Sequence, residues 1–301
     1  MMTASDIAAN VAAESARRVS MPLRSKTLRR RMDLLMKGVS TSAAILGLVF
    51  LAWILITVLI RGLATLTPAF FSDLPPPPGV DGGGLGNAML GTLYMTALGT
   101  VIGVPTGIFT GLYLTEYGRH TWLGATVRFL VNMMMGVPSI IMGLFVYTLM
   151  VVPLGHFSGY AGGVSLALLI TPIVARTTED MLKLVPNTMR EAALGLGAPR
   201  WRMIVGVLFP SAKAGLITGV MLALARVSGE TAPLLFTALN SPYWADSLSK
   251  PTANLTVTVF AFAMSPYPRW QSMAWGASLL ITLAVLFITI AARTILKGKK
   301  P

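Results

Sequence analysis

The chain has 301 residues, 54% hydrophobic and 12% charged, with a formal net charge of +13 and a mean hydropathy of +0.70. Soluble domains carry about 25% charged residues. Half that share, with the apolar residues gathered into long runs, excludes an ordinary soluble fold and points to a chain that crosses a bilayer several times. There is no cysteine, so disulfides, thiolate metal sites and thiol nucleophiles are excluded. The two histidines, His120 and His156, lie far apart at the ends of apolar runs and read as ordinary loop residues.

Residues 1–37 are polar and basic, with a cluster at Arg29, Arg30 and Arg31. They read as a cytoplasmic tail, partly disordered, and too basic and too long for a cleavable signal peptide. Residues 38–62 form the first expected transmembrane helix: Gly38 to Ile60 carries no charge and reaches about 34 Å at 1.5 Å per residue, enough to cross a bilayer. Residues 63–86, with Pro75 to Pro78 and Gly82 to Gly84, read as a turn-rich periplasmic loop.

The core of the protein is expected over 87–293, with five more spans. The first, about 87–114, carries Gly99, Gly103, Gly107 and Gly111 along one helix face. In lipid such a strip lets a second helix approach closely; its spacing does not fit a phosphate-cradling loop. From Phe129 to Ala175 no residue is charged. That stretch is too long for one span, and Pro153 to His156 with Ser158-Gly159 supply the break, giving helices of about 129–152 and 160–176. A fifth run, about 214–237, is interrupted by Arg226 and Glu230, and the sixth, about 271–292, is followed by the C-terminal segment 294–301.

With the spans so placed, twenty of the 24 Lys and Arg residues fall on one side; Arg61, Lys250 and Arg269 fall on the other, and Arg226 lies within a span. Basic residues collect on the cytoplasmic side, so both termini are expected inside. The same bias accounts for the net charge without nucleic acid. The sequon Asn254-Leu255-Thr256 would face outward, and nothing in the sequence supports a host that would glycosylate it.

The segment 186–210 carries the clearest local signals. Thr188 with Glu191 fits a capping box for a short helix. Gly195 and Gly197 end that helix, and Pro199 suits the first turn of the next. The second helix would place Trp201, Ile204, Val205 and Leu208 on one side. The small residues Ala192, Ala193 and Gly197 leave room for a partner surface.

Glu191-Ala192-Ala193, three residues, Gly197, nine residues and then Val207-Leu208-Phe209-Pro210 resemble the EAA loop of bacterial ATP-binding-cassette importer permeases. Val207 and Phe209 depart conservatively from that pattern. Four further stretches resemble the PstA family of phosphate-specific permeases: Asp81 to Leu90, Arg176-Thr177-Thr178-Glu179, Ala225-Arg226-Val227-Ser228-Gly229-Glu230-Thr231-Ala232-Pro233, and Phe262 to Pro266. The likeness runs from about residue 40 to the C-terminus.

The resemblance implies an all-α membrane protein with six transmembrane helices in the type I importer fold, located in the bacterial inner membrane. It implies a coupling helix around Glu191, Ala192, Ala193 and Gly197 that docks on an ATPase. It also implies a part in phosphate transport for Arg176, Glu179 and Arg226. The partners it implies are a homologous permease (PstC-like), an ATPase dimer (PstB-like), a periplasmic phosphate-binding protein (PstS-like) and membrane lipid, with ATP and Mg on the ATPase and no cofactor bound by this chain.

The residues add their own argument. Arg226 falls roughly 20 Å up a helix from Lys213, where a charge costs about 2.5–3.5 kcal/mol on insertion scales. Glu230 at i+4 is expected to pair with it and to moderate its affinity for an anion, while the fork of Arg226 suits phosphate oxygens. No Gly-x4-Gly-Lys-Ser/Thr loop is present, so ATP hydrolysis is expected on a partner and the chain is not itself an enzyme. The alternatives are a permease for sulfate or molybdate, or a carrier driven by an ion gradient. The carrier would need coupling carboxylates within the membrane, and only Glu230 lies there.

Overall fold

The computed structural model describes residues 26–297. The basic residues before Lys26, and Lys299 and Lys300 at the C-terminus, lie outside them. Every element among the described residues is helical. The chain divides into two units, Met1–Thr57 and Val58–Pro301.

The first helix, α1 (Lys26–Leu63), begins well before Gly38 and so includes part of the expected tail. Within the second unit its last turn packs on the C-terminal helix. A side chain at Gly62 would strike Leu279, and Arg61 stacks over the Trp275 ring at 5.2 Å. The short α2 (Pro68–Ser72) is capped by Thr67, which accepts from the Phe70 amide. The tetraproline loop that follows is pinned from α11 (Pro268–Lys297): Arg269 Nε donates to Gly82 O at 3.1 Å, and Trp270 Nε1 to Pro76 O at 3.1 Å.

Helix α3 (Gly86–Leu112), prolonged by a π turn Tyr113–Tyr117, runs parallel to α6 (Gly159–Lys183). Added β-carbons at Gly99, Gly103, Gly107 and Gly111 would meet Leu166, Ile170, Val174 and Thr178 in turn, all at under 3 Å. The predicted strip is therefore the contact itself, and the partner supplies a β-branched or leucine side chain at each step. Helix α8 comprises Arg200–Met203, a π turn Ile204–Leu208 and Phe209–Val227. It packs antiparallel on α6, with Gly219 against Thr177 and Gly215 against Met181.

Among the described residues five helices are long and apolar enough to cross a membrane, six if one bent pair is counted as a span. That pair, α4 (Trp122–Gly136) and α5 (Ser139–Leu154), turns through 108°. The sequence suggested one rod over 129–152. Pro138 ends it, because proline removes an amide donor and forces Val137 out of the helical region (ψ 131°). The break at Gly155–Ser158 falls within the expected stretch, with Gly155 at φ +72°.

The fifth run is also divided. Helix α8 stops at Val227, and α9 (Ala232–Thr237) begins after Ser228–Thr231. The helices that follow the two interruptions meet: a β-carbon on Gly143 of α5 would lie 2.5 Å from Pro233 Cα. Asn254, in the sequon, is fully buried and caps α10 (Leu255–Ala263) by accepting from the Val257 amide at 2.8 Å. It cannot present itself for glycosylation in this fold.

Gly107→Ala should lower the thermal midpoint of the detergent-solubilised protein by the equivalent of about 1–3 kcal/mol, since its β-carbon would lie 2.7 Å from Val174 Cβ. Gly47→Ala, with nothing within 4 Å, should not lower it. Equal melting of the two variants would contradict the close packing.

Candidate functional site

The candidate residues fall in three places. The first is the end of the bundle where α3 and α6 finish and α8 begins. There α7 (Asn187–Gly195) follows Pro186 with no side-chain cap. The capping box from Thr188 to Glu191 does not form, because both residues already lie inside the helix. Gly197 (φ +81°) turns the chain after Leu196 as expected.

Glu191, Ala192 and Gly197 are exposed. Ala193 instead packs inward, on a cluster of Leu182, Val185, Met203, Ile204 and Leu208. Its small side chain lets α7 sit close to the bundle. On the second helix Ile204 and Leu208 are buried as predicted, but Trp201 (61%) and Val205 (59%) are exposed. The π turn over Ile204–Leu208 rotates the later residues and leaves Met203 as the third buried position. Leu194 and Leu196 (89% exposed), together with Trp201, give this loop exposed apolar area. Exposed apolar area rimmed by polar groups marks an interaction surface.

The second place is the loop end of α6. Glu179 is fully buried. Its Oε1 accepts from Lys183 Nζ at 2.6 Å and from Arg128 Nε at 2.8 Å, while Arg176 Nη1 stands 3.8 Å from Oε2. Arg176 also pairs with Asp180 at 3.1 Å, and Arg128 Nη2 donates to Leu114 O at 3.3 Å. Burying a carboxylate is tolerable only when it is paired and hydrogen-bonded. Here α4 and α6 together supply the cations, and three of them outweigh the carboxylates of Glu179 and Asp180. Lys183 at i+4 from Glu179 was a readable signal. Arg128, from a different helix, was not.

The third place is the end of α8. Arg226 is exposed, and among the described residues neither it nor Glu230 makes an ion pair. The expected Arg226–Glu230 pair is absent because the helix ends between them. Gly229 N and Glu230 N close tight turns onto Arg226 O and Val227 O, so Glu230 no longer stands one helical turn above Arg226. The Ser228 hydroxyl donates to Leu224 O at 2.8 Å, and Thr256 Oγ1 donates to Glu230 O at 2.8 Å. The structure does not join Arg226 to Arg176. From Gly219, level with Thr177, Arg226 lies about 10 Å further along α8.

Sequence reasoning also missed Arg190. It sits beside Glu191 but points inward, onto Glu116 at 3.1 Å.

Glu179→Gln should cost about 1.5–3 kcal/mol, the range for hydrogen bonds to charged groups, read as a lower thermal midpoint. Lys183→Gln should cost less, because that lysine is half-exposed and screened. The reverse order would contradict a buried carboxylate at the centre of the cluster.

Comparisons with known proteins agree on one family. Residues 103–298 match the family "Binding-protein-dependent transport system inner membrane component". The chain is 48% identical over 272 residues to the phosphate transport system permease protein PstA of Yersinia pestis, covering 90% of this chain and 92% of the relative. It is 46% identical to PstA of Haemophilus influenzae, covering 90% and 96%. It is 34% identical to a probable PstA of Methanocaldococcus jannaschii, covering 92% and 98%.

Among solved structures, a chain of an alginate-importing bacterial ABC transporter superposes with a TM-score of 0.65 at 14% identity, covering 90% of this chain and 98% of that one. A chain of the inward-facing MetNI methionine ABC transporter gives 0.58 at 22%, covering 72% and 94%. These likenesses establish the type I ABC importer permease fold. The chain is a multi-pass inner-membrane protein and belongs to the PstA family of binding-protein-dependent transport permeases.

Proposed function

We propose that the chain is the membrane permease subunit of an ATP-driven importer of inorganic phosphate, forming one half of the translocation path. The observation that carries this reading is Arg226: a permanent cation, unpaired among the described residues, at an interrupted helix in an apolar run. A charge so placed needs a watery cavity or an anion. Its exposure on the single chain fits a path closed by a second, homologous permease.

Non-helical backbone at Ser228–Thr231 is tolerable at membrane depth where it is buried in protein or lines a cavity. Arg176, Glu179 and the cations around them would receive the anion nearer the loop end. Glu230, freed from Arg226, would moderate how tightly the path holds it. A conduit must bind strongly enough to admit and weakly enough to release.

The Lys and Arg bias supports both termini and α7 on the cytoplasmic side. There Glu191, Ala192 and Gly197, with the exposed apolar residues of this loop, would dock on an ATPase dimer that holds ATP and Mg, and Ala193 would seat the helix. An external phosphate-binding protein would deliver cargo from the other side. The names of the PstA relatives support phosphate over sulfate or molybdate.

Reconstituted with its partner permease, ATPase and binding protein, the wild-type chain should take up phosphate only with ATP. Uptake without ATP would point to the ion-gradient carrier, and preferential uptake of sulfate or molybdate to another oxyanion permease. Arg226→Gln should abolish uptake while the complex still assembles; normal uptake by an assembled variant refutes its role. Glu191→Lys should weaken docking and lose co-purification of the ATPase.

A further inference from the structure

Helix α7 has nine residues and none is buried. A helix that short does not hold itself in water, and Ala193 alone gives it little apolar anchorage. Something else must fix it to the bundle, and the neighbour of Glu191 does so. Arg190 is 14% exposed, and all three of its guanidinium nitrogens are engaged. Nε donates to Glu116 Oε1 at 3.1 Å, and Nη2 to Leu182 O at 2.7 Å. Nη1 donates to Val185 O and, at 3.3 Å, to Asn187 Oδ1.

These partners belong to different elements. Glu116 lies in the π turn that ends α3 and is itself 12% exposed. Leu182 is in the last turn of α6, and Val185 follows that helix. Leu182 O also accepts from the Val185 amide at 3.2 Å, and Arg190 adds a charged donor to it while pairing with an acid on the parallel helix. Charge-assisted bonds of this kind are roughly twice as strong as neutral ones. The side chain lines a cavity of about 580 Å³ together with Glu116, Arg119, His120 and Lys183.

We propose that Arg190, through Glu116 and the carbonyls ending α6, is the positioning residue that carries the displacement of α7 into the α3–α6 pair. This rests on the reading of α7 as the ATPase-docking helix. Glu191 and Arg190 then divide the work: one faces the ATPase, and the other faces the membrane helices. Because α3 and α6 touch along the glycine strip, a pull at their common end moves both.

The test uses the assembled importer in vesicles, with phosphate uptake and ATP hydrolysis measured together. Arg190→Ala should retain the co-purifying ATPase but lower the phosphate transported per ATP at least about fivefold, the lower end of ordinary coupling between sites. Arg190→Lys, which keeps the charge but not the planar fork, should recover part of the ratio. A merely structural loss would reduce both rates together and leave the ratio unchanged, and that result would overturn the proposal. So would loss of ATPase co-purification from Arg190→Ala, which would make Arg190 part of the docking surface.

Should Arg190→Ala not assemble, Glu116→Gln keeps the carbonyl bonds and removes only the ion pair. A lowered ratio in that variant supports the proposal, and a wild-type ratio refutes it. Glu191→Lys separates the two readings: if it keeps its ATPase, docking through α7 is what fails.

Discussion

The rest of the structure depends on how closely α3 approaches α6. Between apolar helices in lipid there is little hydrophobic gain, so van der Waals contact must hold them together. Four glycines on α3 remove the side chains that would keep the backbones apart, and Leu166, Ile170, Val174 and Thr178 fill the space. The interlocking also fixes the relative height of the two helices. Only at that height can Arg128 reach both Leu114 O on α3 and Glu179 on α6. The same height lets Arg190 bond Glu116 and Leu182 together.

The segments that follow two helix breaks pack on each other. Pro138 bends the α4–α5 pair, and Ser228–Thr231 divides α8 from α9. Gly143 lies against Pro233, so the segments on either side of the breaks share one contact. Thr256 reaches back to the Glu230 carbonyl and anchors the second break to α10. Breaking α8 separates Arg226 from Glu230, which in an unbroken helix would neutralise each other. Among the described residues the guanidinium is thereby left without an ion pair.

The 186–210 segment shows how two adjacent residues can serve opposite surfaces. Successive residues of an α-helix point about 100° apart, so Arg190 faces the bundle while Glu191 faces outward. A short helix with almost no apolar anchorage can be seated firmly only if one side carries strong polar bonds. Because its other side is then not needed for folding, it is available to a partner.

Much of this was legible in the sequence. The long uncharged runs announced how many times the chain can cross a bilayer, since only length and apolarity are needed for that, but not where each helix begins, bends or stops. Glycines every four residues marked the contact face, and Gly195 and Gly197 marked the end of α7, because both signals are local. The spacing from Glu191 to Pro210, with Arg176-Thr177-Thr178-Glu179, carried the family. The tertiary structure decided what depends on distant partners. Arg128 meets Glu179 only because α4 folds back, and Arg190 meets Glu116 only because α3 and α6 end together. The bend at Pro138 was hidden inside an apolar run whose periodicity is the same whether the helix is straight or broken. Arg226 and Glu230 looked like a pair for the same reason: spacing implies contact only while the helix continues, and whether it continues is decided by what packs against the break.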